Sequence, residues 1–154
     1  MCIFAVNSRR MLSKSCEYGI RATLYVASET RKKQRVSLRD IARKIKSPEA
    51  FTAKILQKLV KHNIVASVKG FGGGFEMATA NLRTISMKDL VIAIDGDGLF
   101  TRCSLGLHEC SETQPCPFHA RYKPVKENLK TLFEQTSLEE LMSGLDEGKT
   151  FLKL

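Results

Sequence analysis

Residues 64–78 read Ile64-Val-Ala-Ser-Val-Lys-Gly-Phe-Gly-Gly-Gly-Phe-Glu-Met-Ala78. Ile64 to Val68 alternates as a strand does, and so does Phe75 to Ala78. Between them, Lys69-Gly-Phe-Gly-Gly-Gly74 places four glycines in five positions. Such a backbone takes positive φ readily and turns sharply at a hairpin tip. A nucleotide cradle would need a helix directly after the glycines and a Gly-Lys-Ser/Thr run, and neither is present. The stretch is therefore a glycine-tipped hairpin, with Lys69 at its base in reach of a phosphate or a minor groove.

What precedes the hairpin gives it meaning. Ser37-Leu-Arg-Asp40 has the form of a helix start, with Leu38, Ile41, Ala42 and Ile45 as the apolar face. A turn at Lys46-Ser47 follows. Ser47-Pro48-Glu49 then predicts a second helix with Ser47 as N-cap, Pro48 at the first helical position and an acid near the positive end. Phe51, Ile55, Leu56 and Leu59 form its buried face, while Ala50, Lys54, Gln57, Lys58 and Lys61 lie largely elsewhere. By itself this pair is either a helix-turn-helix or an ordinary helical hairpin with a solvated lysine face. The hairpin that follows decides for a winged helix, whose second helix enters the major groove. The residues expected to meet DNA are Arg39, Ser47, Ala50, Ala53, Lys54, Lys58, Lys61, Lys69, Gly72 and Gly73. His62 is expected as a cap or phosphate contact. A further helix is expected upstream, from Ser15 to about Glu29, with Ile20, Leu24 and Ala27 at helical spacing.

Charge agrees with this division. The chain has 154 residues and a net charge of +9. Residues 1–80 carry 16 Lys/Arg against 5 Asp/Glu, whereas residues 81–154 carry 9 against 11. A basic half is the electrostatic footprint of nucleic acid binding. No apolar run approaches the roughly 20 residues that span a bilayer, and the opening lacks a cleavage-site pattern. A cytoplasmic location is expected, with no membrane partner. There a cysteine-rich loop serves as a metal site or thiol sensor sooner than as a structural disulfide.

The second half holds that loop. Cys103, Cys110, Cys116 and His119 are separated by six, five and two residues, and Pro115 and Pro117 bracket the third cysteine. The prolines mark irregular backbone, which can turn several soft ligands to one place. Before the loop, Ser86-Met-Lys-Asp89 predicts a short capped helix that Gly96 and Gly98 end. After it, a helix is expected from about Phe118 to Thr136 despite Pro124, with Val125, Leu129, Leu132 and Phe133 as a stripe, and Ser137 opens a last short helix. The stripe has little of its own chain to cover it, so burial against a second copy is expected, giving a two-fold dimer on palindromic DNA. The expected fold class is mainly α with a small β-wing. Its parts are an N-terminal arm (1–10), a winged helix-turn-helix (11–98), a cysteine-rich loop (99–119), and a dimerisation helix with a C-terminal tail (120–154).

Three marks carry a resemblance: Ser13-Lys-Ser-Cys-Glu-Tyr-Gly-Ile-Arg-Ala22, Ser37-Leu-Arg-Asp-Ile-Ala42, and Ser67-Val-Lys-Gly-Phe-Gly-Gly-Gly-Phe75, completed by the three-cysteine loop. From about Leu12 to Leu141 the chain resembles the Rrf-two family of winged-helix regulators. The resemblance implies a homodimer joined through the long helix after the loop. It also implies an iron–sulfur cluster on Cys103, Cys110 and Cys116 that alters operator affinity. The fourth ligand it implies is His119, as in some members, or Glu17, supplied by the partner's first helix as in others; Cys16 stands beside Glu17 as a third candidate. A two-iron cluster is expected ahead of a four-iron one. Two departures stand out. The first cysteine spacing is six where well-known members have five, and Ala53 replaces an acid used in selecting DNA.

The loop leaves three chemistries open. Thiolates suit iron–sulfur clusters, and a non-cysteine corner tunes potential and exposure. A zinc site of three cysteines and a histidine is the inorganic rival, although structural zinc favours cysteines two to four residues apart. Redox-active thiols without metal are the third. His108 is expected as a loop residue and not as a ligand. The function expected is a sequence-specific transcriptional regulator under cluster control. The alternatives are a cluster-free thiol-switch regulator, or a winged-helix module that binds protein or RNA and holds structural zinc. No paired carboxylates or nucleophile–base set supports an enzyme.

Overall fold

The structure, a computed structural model, describes residues 11–107 and 110–150. The expected N-terminal arm, His108 and the end of the C-terminal tail lie outside the described residues. The elements in order are α1 (Lys14–Arg31), α2 (Leu38–Lys44), α3 (Glu49–Lys61), β1 (Ala66–Val68), β2 (Gly74–Glu76), α4 (Asn81–Thr84), α5 (Met87–Asp95), α6 (Gly98–Thr101), α7 (His119–Gln135) and α8 (Leu138–Asp146). The fold is mostly helical with a two-stranded wing, as expected. Among the described residues no helix is long and apolar enough to cross a membrane.

Side-chain caps set most helix starts. Ser13 accepts from the Cys16 N–H, Ser37 from Asp40 and Ser137 from Glu140. Ser86 and Asp89 form a reciprocal capping box. Each such cap contributes about 0.5–2 kcal/mol. The start of α3 differs from expectation. Pro48, with extended φ −57° and ψ 139°, is itself the capping residue, and no side chain caps there. Ser47 sits one residue too early, and its hydroxyl is buried without a hydrogen-bond partner.

The wing is shorter than the alternation predicts. Its register pairs Ala66 with Glu76, Ser67 with Phe75 and Val68 with Gly74. Ile64 and Val65 are buried but not in the ladder, because the Ile64 N–H bonds to the Leu59 carbonyl and closes the end of α3. On the other side, Val36 and Phe75 exchange both backbone hydrogen bonds, at 3.1 and 2.8 Å. The wing is thereby tied to the segment entering α2.

One core runs through the molecule, from Cys16 and Val26 through Ile41, Leu56 and Leu59 to Leu90, Val91 and Leu138. Helix α5 sits at its centre and packs on α1, α3 and α7. Two backbone hydrogen bonds, Met87 N–H to Thr136 and Leu138 N–H to Ile85, lock the α7–α8 junction beside the start of α5. The expected apolar stripe of α7 is divided. Phe133 is buried edge-on against Phe100 of α6, with ring centroids 5.6 Å apart, and Leu129 is half-buried against the core. Val125 and Leu132 stay 58% and 60% exposed. Phe133 therefore belongs to the intrachain core, since α6, which sequence periodicity is too short to reveal, supplies its partner.

Candidate functional site

Two places in this fold gather the expected site residues. The first is the outer face of α3. Ala50, Lys54, Gln57 and Lys61 are exposed on it, and Ala53 is half-buried beside them. The buried residues Thr52, Ile55, Leu56 and Leu59 hold the opposite face on the core. Small residues let a backbone approach a partner closely, and Lys54 and Lys61 flank them with charge. Among the described residues no ion pair engages Lys54, Lys61 or Lys69. The groove beside this face is walled by Leu38, Ala53, Gln57 and Lys61 on one side and by Ser67 and Phe75 of the wing on the other. Recognition helix and wing thus present one continuous surface.

Other expected contacts are placed differently. Lys58 is turned away from this face and donates from Nζ to the Ile94 carbonyl at 2.6 Å, at the end of α5. There a cation meets the negative end of a helix. Arg39 is 84% exposed and lies 3.8 Å from Glu49. Gly72 is exposed and Gly73 half-buried at the wing tip. His62 is the capping residue at the end of α3 and is exposed. The densest basic run in the sequence, residues 31–35, is largely matched internally. Arg31 pairs with Asp146, Lys32 with Glu29, and Arg35 with Glu76 at 2.7 Å. Gln57, exposed on the same face and absent from the expected contacts, also lines the groove; its signal is helical spacing, three residues after Lys54.

The second place is the cysteine loop. Here the four expected side chains come together as two pairs. Cys103 Sγ and Cys116 Sγ are 3.8 Å apart, and Cys110 Sγ lies 3.4 Å from His119 Nδ1. All three thiols are free. Among the described residues no three Cys, His, Asp or Glu side chains converge closely enough to hold one metal ion. His119 opens α7, and its Nε2 is buried with no hydrogen-bond partner. Among the described residues Glu112 lies 3.7 Å from it. Glu112 in turn pairs with Lys123 at 2.5 Å, and that hydrogen bond, ahead of the nearby His119, holds the Glu112 carboxyl below its usual range.

Cys103 is buried at the end of α6. The Leu105 N–H, helped by the Cys116 thiol, the Leu107 N–H and the Lys126 charge, lowers its pKa against the opposing effect of burial. Lys126 is itself buried and donates to the Thr101 carbonyl at 3.4 Å. The loop thus favours thiolate at its first cysteine. Neither Glu112 nor Lys126 carries a signal in the sequence, because nothing local reveals which side chains a loop folds over. Glu17 stands apart on the first turn of α1, 3.2 Å from Lys14. Cys16 is fully buried, and burial, followed by Asp95 and Glu17, pushes its thiol up to about 12. Without a metal this thiol is neutral and packs in the core.

The Rrf2 model, described as an iron-dependent transcriptional regulator, matches residues 12–144. An HTH-type transcriptional regulator of Aquifex aeolicus is 31% identical over 136 residues, covering 86% of this chain and 92% of that one. The HTH-type transcriptional regulator IscR of Vibrio vulnificus is 30% identical over 132 residues, covering 86% and 77%. Among solved structures, CymR, the global cysteine regulator of B. subtilis, superposes with a TM-score of 0.69 at 19% identity, covering 86% of this chain and 95% of that one. T. potens IscR gives 0.70 at 20% identity, covering 92% and 93%. At these identities the two structures speak to the winged-helix fold alone.

Proposed function

The chain belongs to the Rrf2 family of transcriptional regulators, and on that premise we propose that it binds a palindromic duplex operator as a homodimer whose affinity is set by a two-iron iron–sulfur cluster. The observation that carries the cluster reading is the pairing of the loop ligands. In a two-iron cluster each iron takes two protein ligands, and a cysteine pair can sit on one iron with histidine on the other. A tetrahedral metal with thiolate bonds of about 2.3 Å separates two sulfurs by roughly 3.8 Å, and a sulfur and a nitrogen by roughly 3.6 Å. The Cys103–Cys116 and Cys110–His119 pairs stand at 3.8 and 3.4 Å. A four-iron cluster would ask for one ligand per iron, and a single zinc for all four at one point.

The donor set fits the group. Cys103, Cys110 and Cys116 would hold it as thiolates, and His119 through Nδ1. The same pairing favours His119 over Glu17 as fourth ligand, because Cys110 already faces the imidazole within one chain. Bound there, the cluster supplies a centre whose loss or damage reports oxidants, nitric oxide or iron–sulfur supply. The protein's own residues pass that state on. Cys103 ends the segment that begins with α6, and α6 packs on α7 through Phe100 and Phe133. Helix α7 packs on α5, and α5 is joined to the recognition helix by Lys58.

Dimerisation is supported by α7. Phe118, Val125 and Leu132 are exposed, with Tyr122 and Leu129 between them at alternating spacings of four and three, the seam of a coiled-coil-like pair. Phe118 and Tyr122 already stack at 5.8 Å. The test is an anaerobic preparation examined by visible absorption with iron and sulfide analysis. A brown protein with equal iron and sulfide, two of each per chain, is expected. A colourless protein carrying one zinc per chain would overturn the cluster. A metal-free protein with a Cys103–Cys116 disulfide would replace it by the thiol switch, which the short distance between those sulfurs also favours.

A further inference from the structure

The wing tip carries a side chain that neither the core nor the recognition face uses. Phe71 is 112% exposed, more open than any other large apolar side chain among the described residues. Its neighbours fix where it stands. Gly70 and Gly72 take φ of +93° and +71°, conformations that glycine adopts without strain. The Gly73 N–H closes the turn on the Gly70 carbonyl at 3.0 Å. At Gly73 a Cβ would lie 2.4 Å from the Val68 carbonyl oxygen, so the turn is closely packed on itself. Arg35 braces it, with Nη1 reaching the Gly72 carbonyl and Nε holding Glu76. The ring therefore projects from a built turn.

The tip also lies where duplex DNA would pass. On one side the wing shares a groove with Ala53, Gln57 and Lys61 of the recognition helix. On the other, Gly72 and Gly73 border a concavity with Lys33 and Arg35. Lys69 stands two residues before the exposed ring in the chain, and Lys33 lines the concavity that Gly72 and Gly73 border, so cations accompany the apolar tip. A protein partner with an apolar pocket would not call for those cations, whereas two phosphate rails would. A narrow groove admits a single ring, and apolar side chains of this class enter between base steps from the minor groove, unstacking them and bending the duplex.

We propose that Phe71 is a minor-groove wedge that enters a base step beside each half-site and makes recognition depend on how easily that step unstacks. The proposal rests on the DNA-binding reading of α3 and the wing. It predicts a preference for flexible pyrimidine–purine steps at the wing position.

The experiment uses the full chain and a duplex it selects from a random-sequence pool, with 2-aminopurine placed in turn at each position flanking the half-site. Wild type is expected to raise the fluorescence at one step and to shorten the end-to-end distance measured by energy transfer. Phe71→Ala is expected to lose both signals and about fivefold to a hundredfold in affinity, the range for one aromatic–base stack. Phe71→Trp should keep them, and Lys69→Ala should weaken binding while keeping the fluorescence rise. The ring is fully exposed in the free protein, so folding is not at stake. The proposal is overturned by a wild-type complex without a fluorescence rise, by a rise that persists in Phe71→Ala, or by an affinity loss with both signals unchanged. If no duplex is selected at all, the DNA-binding reading falls as well.

Discussion

The winged half and the cysteine loop are built on opposite principles. In the winged half each turn is held by the chain itself. Ser37 caps α2, the Val36–Phe75 bridge ties the wing to the helices, and the buried face of α3 is closed by Ile55, Leu56 and Leu59. In the loop, Leu105 and Leu107 are 54% and 53% exposed, and the donors face one another in pairs. A region held by packing keeps its shape whatever it binds. A region whose best-placed groups are soft ligands depends on what it binds, because metal binding and local folding are one equilibrium. A reader and a sensor can share one small domain on these terms.

The largest expected effect tests that dependence. Cys110→Ser removes one member of the Cys110–His119 pair, so iron per chain should fall by about tenfold or more, while far-ultraviolet circular dichroism keeps its helical signal. A matching loss of helix would show that the loop supports the winged half, and the contrast would be broken. Next in size is a change in the winged half. Gly74 sits at φ +147°, and a Cβ there would lie 2.7 Å from the Val36 carbonyl oxygen. Gly74→Ala should destabilise by about 1–3 kcal/mol, read as a lower urea midpoint, with iron content unaltered. Equal loss of iron would mean that the two regions unfold together.

A smaller effect sharpens the same line. Lys54→Ala should weaken operator binding by about 1–2 kcal/mol and reduce the slope of log affinity against log salt by about 0.9. The visible spectrum should not change. Lys58→Ala should leave that slope almost unaltered, since its ammonium serves the Ile94 carbonyl; an equal reduction for both lysines would place Lys58 on the DNA. The smallest effect is at Cys16. Its thiol, pushed up to about 12, is neutral at pH 8, so iodoacetamide should label Cys110 and Cys116 of the metal-free folded protein and spare Cys16. Labelling of Cys16 at a comparable rate would show that α1 opens.

These contrasts also explain what could be read from the sequence. Ser37, Ser86 and Ser137 act within three residues, and the apolar spacing of α3 acts within one helix, so both are written locally. Ser47 misled because Pro48 can occupy the capping position itself. Helices α4 and α6 have four residues each, too few for a period to show, and missing α6 hid the partner of Phe133. In the loop, chain spacing identified Cys103, Cys110, Cys116 and His119. It could not say that they meet in pairs, nor that Glu112 and Lys126 fold over them, because irregular backbone carries no period to convert spacing into distance.

The bond from Lys58 to Ile94 adds a tie between α3 and α5, which already pack together. Helix α3 has 13 residues and is therefore about 20 Å long. A tilt of about 5° at its α5 end displaces the far end by roughly 1.7 Å, well beyond the ~0.5 Å within which a recognition constellation stays productive. Leverage of this kind means that the fold need not rearrange to change its output. A rotation of a few degrees is enough to change where the outer turn of α3 stands relative to a bound duplex.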